Sequence, residues 1–286
     1  MRMLLALALV SSGCSDAAQP EPAAGPGSGG NGSGTGGAFG GRPVERALVF
    51  RTYQVAAVTN DHSVGFDLDD LVSTDSTADG CGQADATSPD GTLGIDNGVG
   101  RIWPAFFDVL GDSLESLFRE GVSRGGEIPL LVLPVASNAQ FAVARLEGAA
   151  VDFDGLLAGF QTFDLEAAGQ PFPVTQTPDR VLFGPAPAVV QVEAFSLAFA
   201  LPIDGLRGAL HRDDDGVWRG VVGGSFPLAS VPAPLAAVVS LSSGQPLADL
   251  LPGAGDLPDS TGACRRISFA ATVEAVEGFA VAPTSD

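Results

Sequence analysis

The chain has no lysine. All fourteen basic residues are arginine, they face 34 acidic residues, and the formal net charge is −20 at pH 7. A surface this acidic repels phosphate backbones and anionic lipid, which excludes a nucleic-acid partner, and it attracts cations. Two histidines and three cysteines leave a zinc or copper centre short of its usual donors. No apolar run approaches the ~20 residues a membrane-spanning helix needs without Gly, Pro or charge intervening. No Gly-x-Ser-x-Gly elbow is present. No glycine loop is framed by a strand and a helix to cradle phosphate.

What is present begins at the N-terminus. Met1-Arg2 is charged, Met3 to Val10 is wholly apolar, and Ser11-Ser12-Gly13 are small. This order predicts an export signal over 1–13. Cys14 follows at once, and the junction resembles the lipobox of bacterial lipoproteins, with Ser11 where Leu is usual. The resemblance implies that Cys14 becomes the mature N-terminus and carries a lipid, the protein's contact with membrane. Ser15 in place of Asp then implies anchoring at the outer membrane. Residues 14–42 are dominated by Gly, Ser, Pro and Ala. Such a stretch buries too little apolar area to offset its ordering entropy and reads as a flexible tether. Residues 43–286 are predicted to form one globular domain. With Cys14 assigned to the anchor, Cys81 and Cys264 remain as one pair, expected to be a disulfide in an exported protein.

Strand signals, namely β-branched and aromatic residues between turn residues, recur along the domain. They cover Arg46 to Val58, Ser63 to Leu68, Ile128 to Val135, Phe141 to Phe153, Arg180 to Phe183, Ala188 to Leu201 and Arg266 to Val281. Gly205 to His211 and Val217 to Val222 flank Arg212-Asp213-Asp214-Asp215-Gly216, the pattern of a hairpin. Between these, Ile102, Trp103, Phe106, Phe107, Leu110, Leu114, Leu117 and Phe118 recur at three- and four-residue steps. That stripe predicts an amphipathic helix over 102–122. Short helices are expected over 230–251. The sum is a mainly β fold, with α+β as the alternative: an antiparallel sandwich or an irregular barrel in which first and last strands pair.

The residues with the most chemistry lie between Arg51 and Arg101, a window free of lysine and arginine that holds nine aspartates. Within it Asp85, Asp90, Asp96 and Asn97 place acidic and amide oxygens at short spacing around glycines. Ca²⁺ takes six to eight such oxygens, and carboxylates crowded this densely repel one another unless a cation intervenes. These four are the first candidate ligands for Ca²⁺, with Asp67 and Asp69 as further ones. Asp90-Gly91 with Ile95 resembles the middle of an EF-hand loop. Ala86 stands where that motif needs its first Asp and Asn97 where it needs its closing Glu, so an EF-hand is rejected. The competing reading is a solvated acidic loop tied down by the disulfide.

Other patterns carry less. Gly111-Asp112-Ser113-Leu114 spells the nucleophile block of GDSL-type esterases, but it falls inside the amphipathic stripe, and neither His62 nor His211 has Asp three residues before it. Asp61-His62 is read as a loop, and the stripe Trp103, Phe106, Phe107, Phe118 as core, as are Phe195, Leu197 and Phe199. The domain resembles Asp-rich secreted lipoproteins of myxobacterial type, on Gly65-Phe66-Asp67-Leu68-Asp69 and Gly91 to Asn97; that group carries no assigned activity. The expectation is an exported, lipid-anchored envelope protein, a binding or structural domain for an envelope protein or carbohydrate, with no catalytic residue. A calcium-dependent hydrolase and a carrier of an apolar ligand are the alternatives.

Overall fold

The structure is a computed structural model that describes residues 38–39, 42–75, 81–103, 127–133, 139–145, 162–165, 170–194, 197–230, 253 and 255–281. The chain divides into Met1–Thr35 and Gly36–Asp286, and every described residue belongs to the second unit. The strands are β1 (Ala38–Phe39), β2 (Arg42–Val55), β3 (Glu127–Leu133), β4 (Ala139–Arg145), β5 (Thr162–Asp164) and β6 (Gln170–Phe172). They continue with β7 (Val174–Gln176), β8 (Arg180–Ala194), β9 (Leu197–Arg212), β10 (Trp218–Pro227), β11 (Leu257–Pro258) and β12 (Cys264–Val281).

All twelve join one sheet, whose main path runs β6-β4-β3-β2-β12-β10-β9-β8-β7. The two ends of that path, β6 and β7, are separated in the chain by Pro173 alone. The opposite edges of the sheet therefore meet, and it curls into a nearly closed antiparallel barrel rather than a sandwich. The Phe172 and Phe183 rings bridge the seam edge to face at 6.2 Å. First and last long strands do pair: β2 runs antiparallel to β12 from Val44↔Val281 to Val55↔Ala271.

Strand periodicity explains the filling of the barrel. Leu48 and Phe50 on β2 join Leu131, Val181, Phe183, Leu210, Trp218 and Val273 in a cluster drawn from strands all round the wall. The intervening Ala47 and Val49 bury on the opposite face with Leu130, Val132, Phe163 and Val276. Strands buried on both faces read as near-continuous apolar runs, as Leu130 to Leu133 do. Trp218, fully buried, donates its indole N–H to Glu277 at 3.4 Å. Its ring lies under the Arg46 guanidinium at 5.6 Å, and Arg46 in turn bonds Glu277 at 2.7 Å.

Several expectations are revised. Ser63 to Leu68 is not a strand. It makes one isolated bridge, Phe66↔Asp96, and Leu68 N–H goes to the Asp96 carboxylate instead of a ladder. Ala188 to Leu201 is not one strand but parts of two, β8 and β9, paired from Ala188↔Ile203 to Ala194↔Leu197; no Gly, Pro, Asn or Asp at 195–196 marks the reversal. The sheet also begins inside the stretch read as tether, with Phe39 of β1 opposite Arg42. The hairpin at 212–216 stands: the Asp213 carboxylate accepts from Val217 N–H at 2.8 Å and Asp215 N–H at 3.1 Å. Residues 98–103 are helical. The remainder of the predicted helix over 102–122, Gly111 to Leu114 with it, the helices over 231–251, Cys14 and Phe195 lie outside the described residues.

Candidate metal centre

The acidic window packs as a loop against the β12 side of the barrel, and its own sequence shows how. Ser88 to Thr92 close a tight turn: Gly91 N–H donates to Ser88 O at 2.9 Å and Ser88 N–H to Thr92 O at 2.8 Å. The arms then pair at Ala86↔Ile95, and both apolar side chains are buried. By the two-residue alternation of extended chain, the flanking Asp85 and Asp96 face the other way. Asp96 N–H donates to Phe66 O at 3.0 Å, and one Asp96 carboxylate oxygen accepts Leu68 N–H at 2.6 Å. This lays the segment 66–69 along Asp96 and brings two more aspartates to it. The carboxylates of Asp67, Asp69 and Asp96 offer ligand oxygens all within 4.8 Å of one another.

Three anchors hold this loop. Cys81 and Cys264 form a disulfide with Cα atoms 5.7 Å apart. Asn97, 2 % exposed, donates to Ala56 O and Ser63 Oγ, both at 2.8 Å. Its Oδ1 accepts Gly100 N–H at 2.9 Å, the N-cap of the 98–103 helix, and Ala270 N–H at 3.2 Å. Asp256, buried, accepts from Ser268 N–H at 2.8 Å and from Ser268 Oγ, while Gly98 N–H donates to Ser268 Oγ at 2.7 Å.

The electrostatics follow from burial. Asp96 is 3 % exposed. Desolvation pushes its carboxyl up to about 8; Leu68 N–H opposes this, and Asp69, Asp256 and Asp85 add to it. Asp69 is raised by burial, against Leu71 N–H, with Asp67 contributing. Asp85 is raised by burial, against Ser73 N–H, with Asp69 and Asp67 contributing. Asp67 Oδ1 is buried and has no hydrogen-bond partner among the described residues. Among the described residues, Arg207 donates to the Asp67 backbone carbonyl at 3.1 Å and Arg101 to Ala84 O, while the Arg101 charge pulls Asp85 down only as the smallest of its influences. Like charges in a poorly hydrated site favour a proton or a cation.

Three of the six candidate ligands thus come together: Asp96, and the Asp67 and Asp69 that sequence spacing ranked behind the others. Asp85 couples to the group electrostatically, but one of its oxygens takes Ser73 N–H at 2.5 Å. Asp90 is exposed at the turn tip. Its carboxylate accepts from Ser88 Oγ, Thr92 N–H and Thr92 Oγ1, bonds that hold its carboxyl below the usual range. Asn97 has spent its amide on the loop anchors. Asp256 and Ser268 escaped the sequence reading altogether; Gly98 followed by helix was a signal for close backbone approach, since a Cβ there would meet the Asp256 carboxylate at 2.7 Å. His62 is exposed and pairs through its backbone with Thr59 and Thr87.

Searches against protein families, curated proteins and solved structures return no match to this chain. The chemistry of the cluster is that of hard oxygen donors, which suit Ca²⁺, Mg²⁺ or Mn²⁺ rather than zinc or copper.

Proposed function

We propose that this protein is an exported, lipid-anchored binding domain of the bacterial envelope whose acidic loop is held to its barrel by a divalent cation at Asp67, Asp69 and Asp96. The observation that carries the reading is a buried carboxylate, Asp96, with two more carboxylates within 4.8 Å of it. The orphaned Asp67 Oδ1 supports it. So does Gly94, whose φ of +80° lets the backbone pass close to both Leu71 O and Asp67 Oδ2; a Cβ there would lie 2.9 and 3.0 Å from them. Carbonyl and carboxylate oxygens around a tight turn are the donors Ca²⁺ uses, and its tolerance of irregular geometry favours it over Mg²⁺. The disulfide fits an oxidising compartment, in keeping with the export signal and with Cys14 as the lipid site.

The alternatives have less support. A carboxylate hydrolase needs its acid reachable by substrate, and Asp96 is buried. An apolar-ligand carrier needs an open interior, and the barrel is filled by Trp218, Phe172, Leu48 and Leu131, each fully buried. Calorimetric titration with Ca²⁺ and with Mg²⁺ tests the cation. Binding of Ca²⁺ that is lost in both Asp67→Asn and Asp69→Asn supports the reading. No heat and no stabilisation with either ion overturns it.

A further inference from the structure

Six large apolar residues are exposed among the described residues, and three of them, Leu71, Val72 and Leu93, lie on the acidic loop at 40 %, 59 % and 57 % exposure. The fold of the loop brings them to the aspartate cluster. Asp69 Oδ1 accepts Leu71 N–H at 3.0 Å, so the chain leaves the cluster directly into Leu71 and Val72. Leu93 precedes Gly94, and a Cβ on Gly94 would lie 2.9 Å from Leu71 O and 3.0 Å from Asp67 Oδ2. The two arms therefore run side by side at the rim of the cluster, with apolar residues exposed on both. They are held there. Ser73 N–H donates to the Asp85 carboxylate at 2.5 Å, and Asp85 N–H returns to Ser73 O at 3.1 Å.

Exposed apolar residues gathered at one place mark a contact, and their number bears on its kind. Three side chains fall short of the ~1,000 Å² that a stable protein interface buries, but shallow entry into the headgroup and acyl boundary of a lipid layer needs no more than a few such groups. Charge decides the conditions. Asp70 and Asp90 are exposed on the same loop, so the loop without a cation is repelled by an anionic surface. A bound Ca²⁺ changes this. One oxygen from each of Asp67, Asp69 and Asp96 fills three of the six to eight positions the ion takes. Asp96 is buried, whereas Asp67 and Asp69 are only half-buried. The cluster is thus open on their side, where Leu71 and Leu93 lie, and the remaining positions accept hard oxygens such as those of a phosphate.

Resting on the cation reading above, we infer that the acidic loop docks on an anionic phospholipid surface. The cation would join Asp67 and Asp69 to lipid phosphate, while Val72 and Leu93 enter the layer beside it. The two contacts depend on each other: apolar entry without the cation would press Asp70 and Asp90 against phosphate of the same sign. A chain of net charge −20 would then hold an anionic surface only when the cation is present.

The test uses the full chain carrying Cys14→Ser, so that no lipid is attached at that residue. It is floated with vesicles of phosphatidylcholine alone, or of phosphatidylcholine and phosphatidylglycerol in equal parts, in millimolar Ca²⁺ or in chelator. Any contribution of residues 1–42 is common to both conditions and cancels in the Ca²⁺-dependent difference. Calorimetry on the same samples measures Ca²⁺ binding without lipid. Flotation with the phosphatidylglycerol vesicles is expected in Ca²⁺ and not in chelator. Val72→Ser/Leu93→Ser is expected to lose about tenfold or more in vesicle affinity with its Ca²⁺ heat unchanged. Circular dichroism checks folding, and Leu93→Ser alone decides should the pair not fold. Ca²⁺ heat without Ca²⁺-dependent flotation overturns the inference and leaves the cation reading standing. Flotation that is equal in the serine variant, equal on phosphatidylcholine alone, or retained in Asp67→Asn also overturns it. Absence of Ca²⁺ heat removes the cation reading, and the inference with it.

Discussion

Replacing Asp96 by Asn separates the cost of burying a carboxylate from the gain of binding a cation. Asp96 is 3 % exposed, and its folded-state carboxyl lies at about 8 against an ordinary 3.8. A carboxyl raised on folding binds its proton more tightly in the native state. Its contribution to stability is therefore fully present below about pH 4 and is lost as pH rises toward about 8. At about 1.36 kcal/mol per pKa unit, the loss for the cation-free protein reaches an upper figure of about 4 kcal/mol at pH 7. Asn keeps the shape and an oxygen for Leu68 N–H but carries no charge. In excess chelator, Asp96→Asn is thus expected to unfold at higher urea than the parent at pH 7.5, and at nearly the same urea at pH 4. Added Ca²⁺ narrows or closes the gap: at a hundred times its dissociation constant it adds about 2.7 kcal/mol to the parent and little to the variant. Urea midpoints at these two pH values, with chelator and with Ca²⁺, form the assay. A parent whose chelated midpoint is equal at both pH values, with no gain in Asp96→Asn, refutes the burial argument. A parent that shows the pH effect but no Ca²⁺ effect keeps that argument and removes the cation.

Further outcomes follow from the same geometry. Reduction of Cys81–Cys264, or Cys264→Ser, should lower the melting temperature, because the bridge closes a separation of 183 residues and chain entropy assigns such a loop at most about 5 kcal/mol; an unchanged melting temperature in reductant contradicts this. Asn97→Ala should cost about 3 kcal/mol or more in urea unfolding, since it strips buried partners from Ala56 O, Ser63 Oγ and the N–H groups of Gly100 and Ala270; a loss below about 1 kcal/mol would show that water replaces them. Gly94→Ala should destabilise by about 1–2 kcal/mol, because φ is +80° and its Cβ would crowd Leu71 O and Asp67 Oδ2. The same change should weaken Ca²⁺ stabilisation, and a variant as responsive to Ca²⁺ as the parent would place the ion elsewhere.

The acidic window was legible as a place where oxygens crowd, because composition and turn residues are local properties. The choice of ligands was not. Spacing favoured Asp85 and Asp90, which are near Asp96 in sequence, but the Ser88–Thr92 turn carries Asp90 outward to the tip. Asp67 and Asp69 reach Asp96 only because Phe66 O and Leu68 N–H bond to it across about thirty residues of chain. Asn97 looked like a ligand for its amide oxygen, yet its position just before a helix made it a cap.

By itself, the sequence determined the β character of the domain, its filling by alternating apolar residues, the hairpin at Asp213 and the pairing of Cys81 with Cys264. Each of these rests on short-range periodicity, turn chemistry or simple counting. Tertiary structure alone decided that the sheet closes as a barrel, since that depends on β6 and β7 flanking one proline at opposite sheet edges. It also decided which aspartates meet and the burial of Asp96. Strand register and loop closure join residues far apart in the chain, and no local pattern records them.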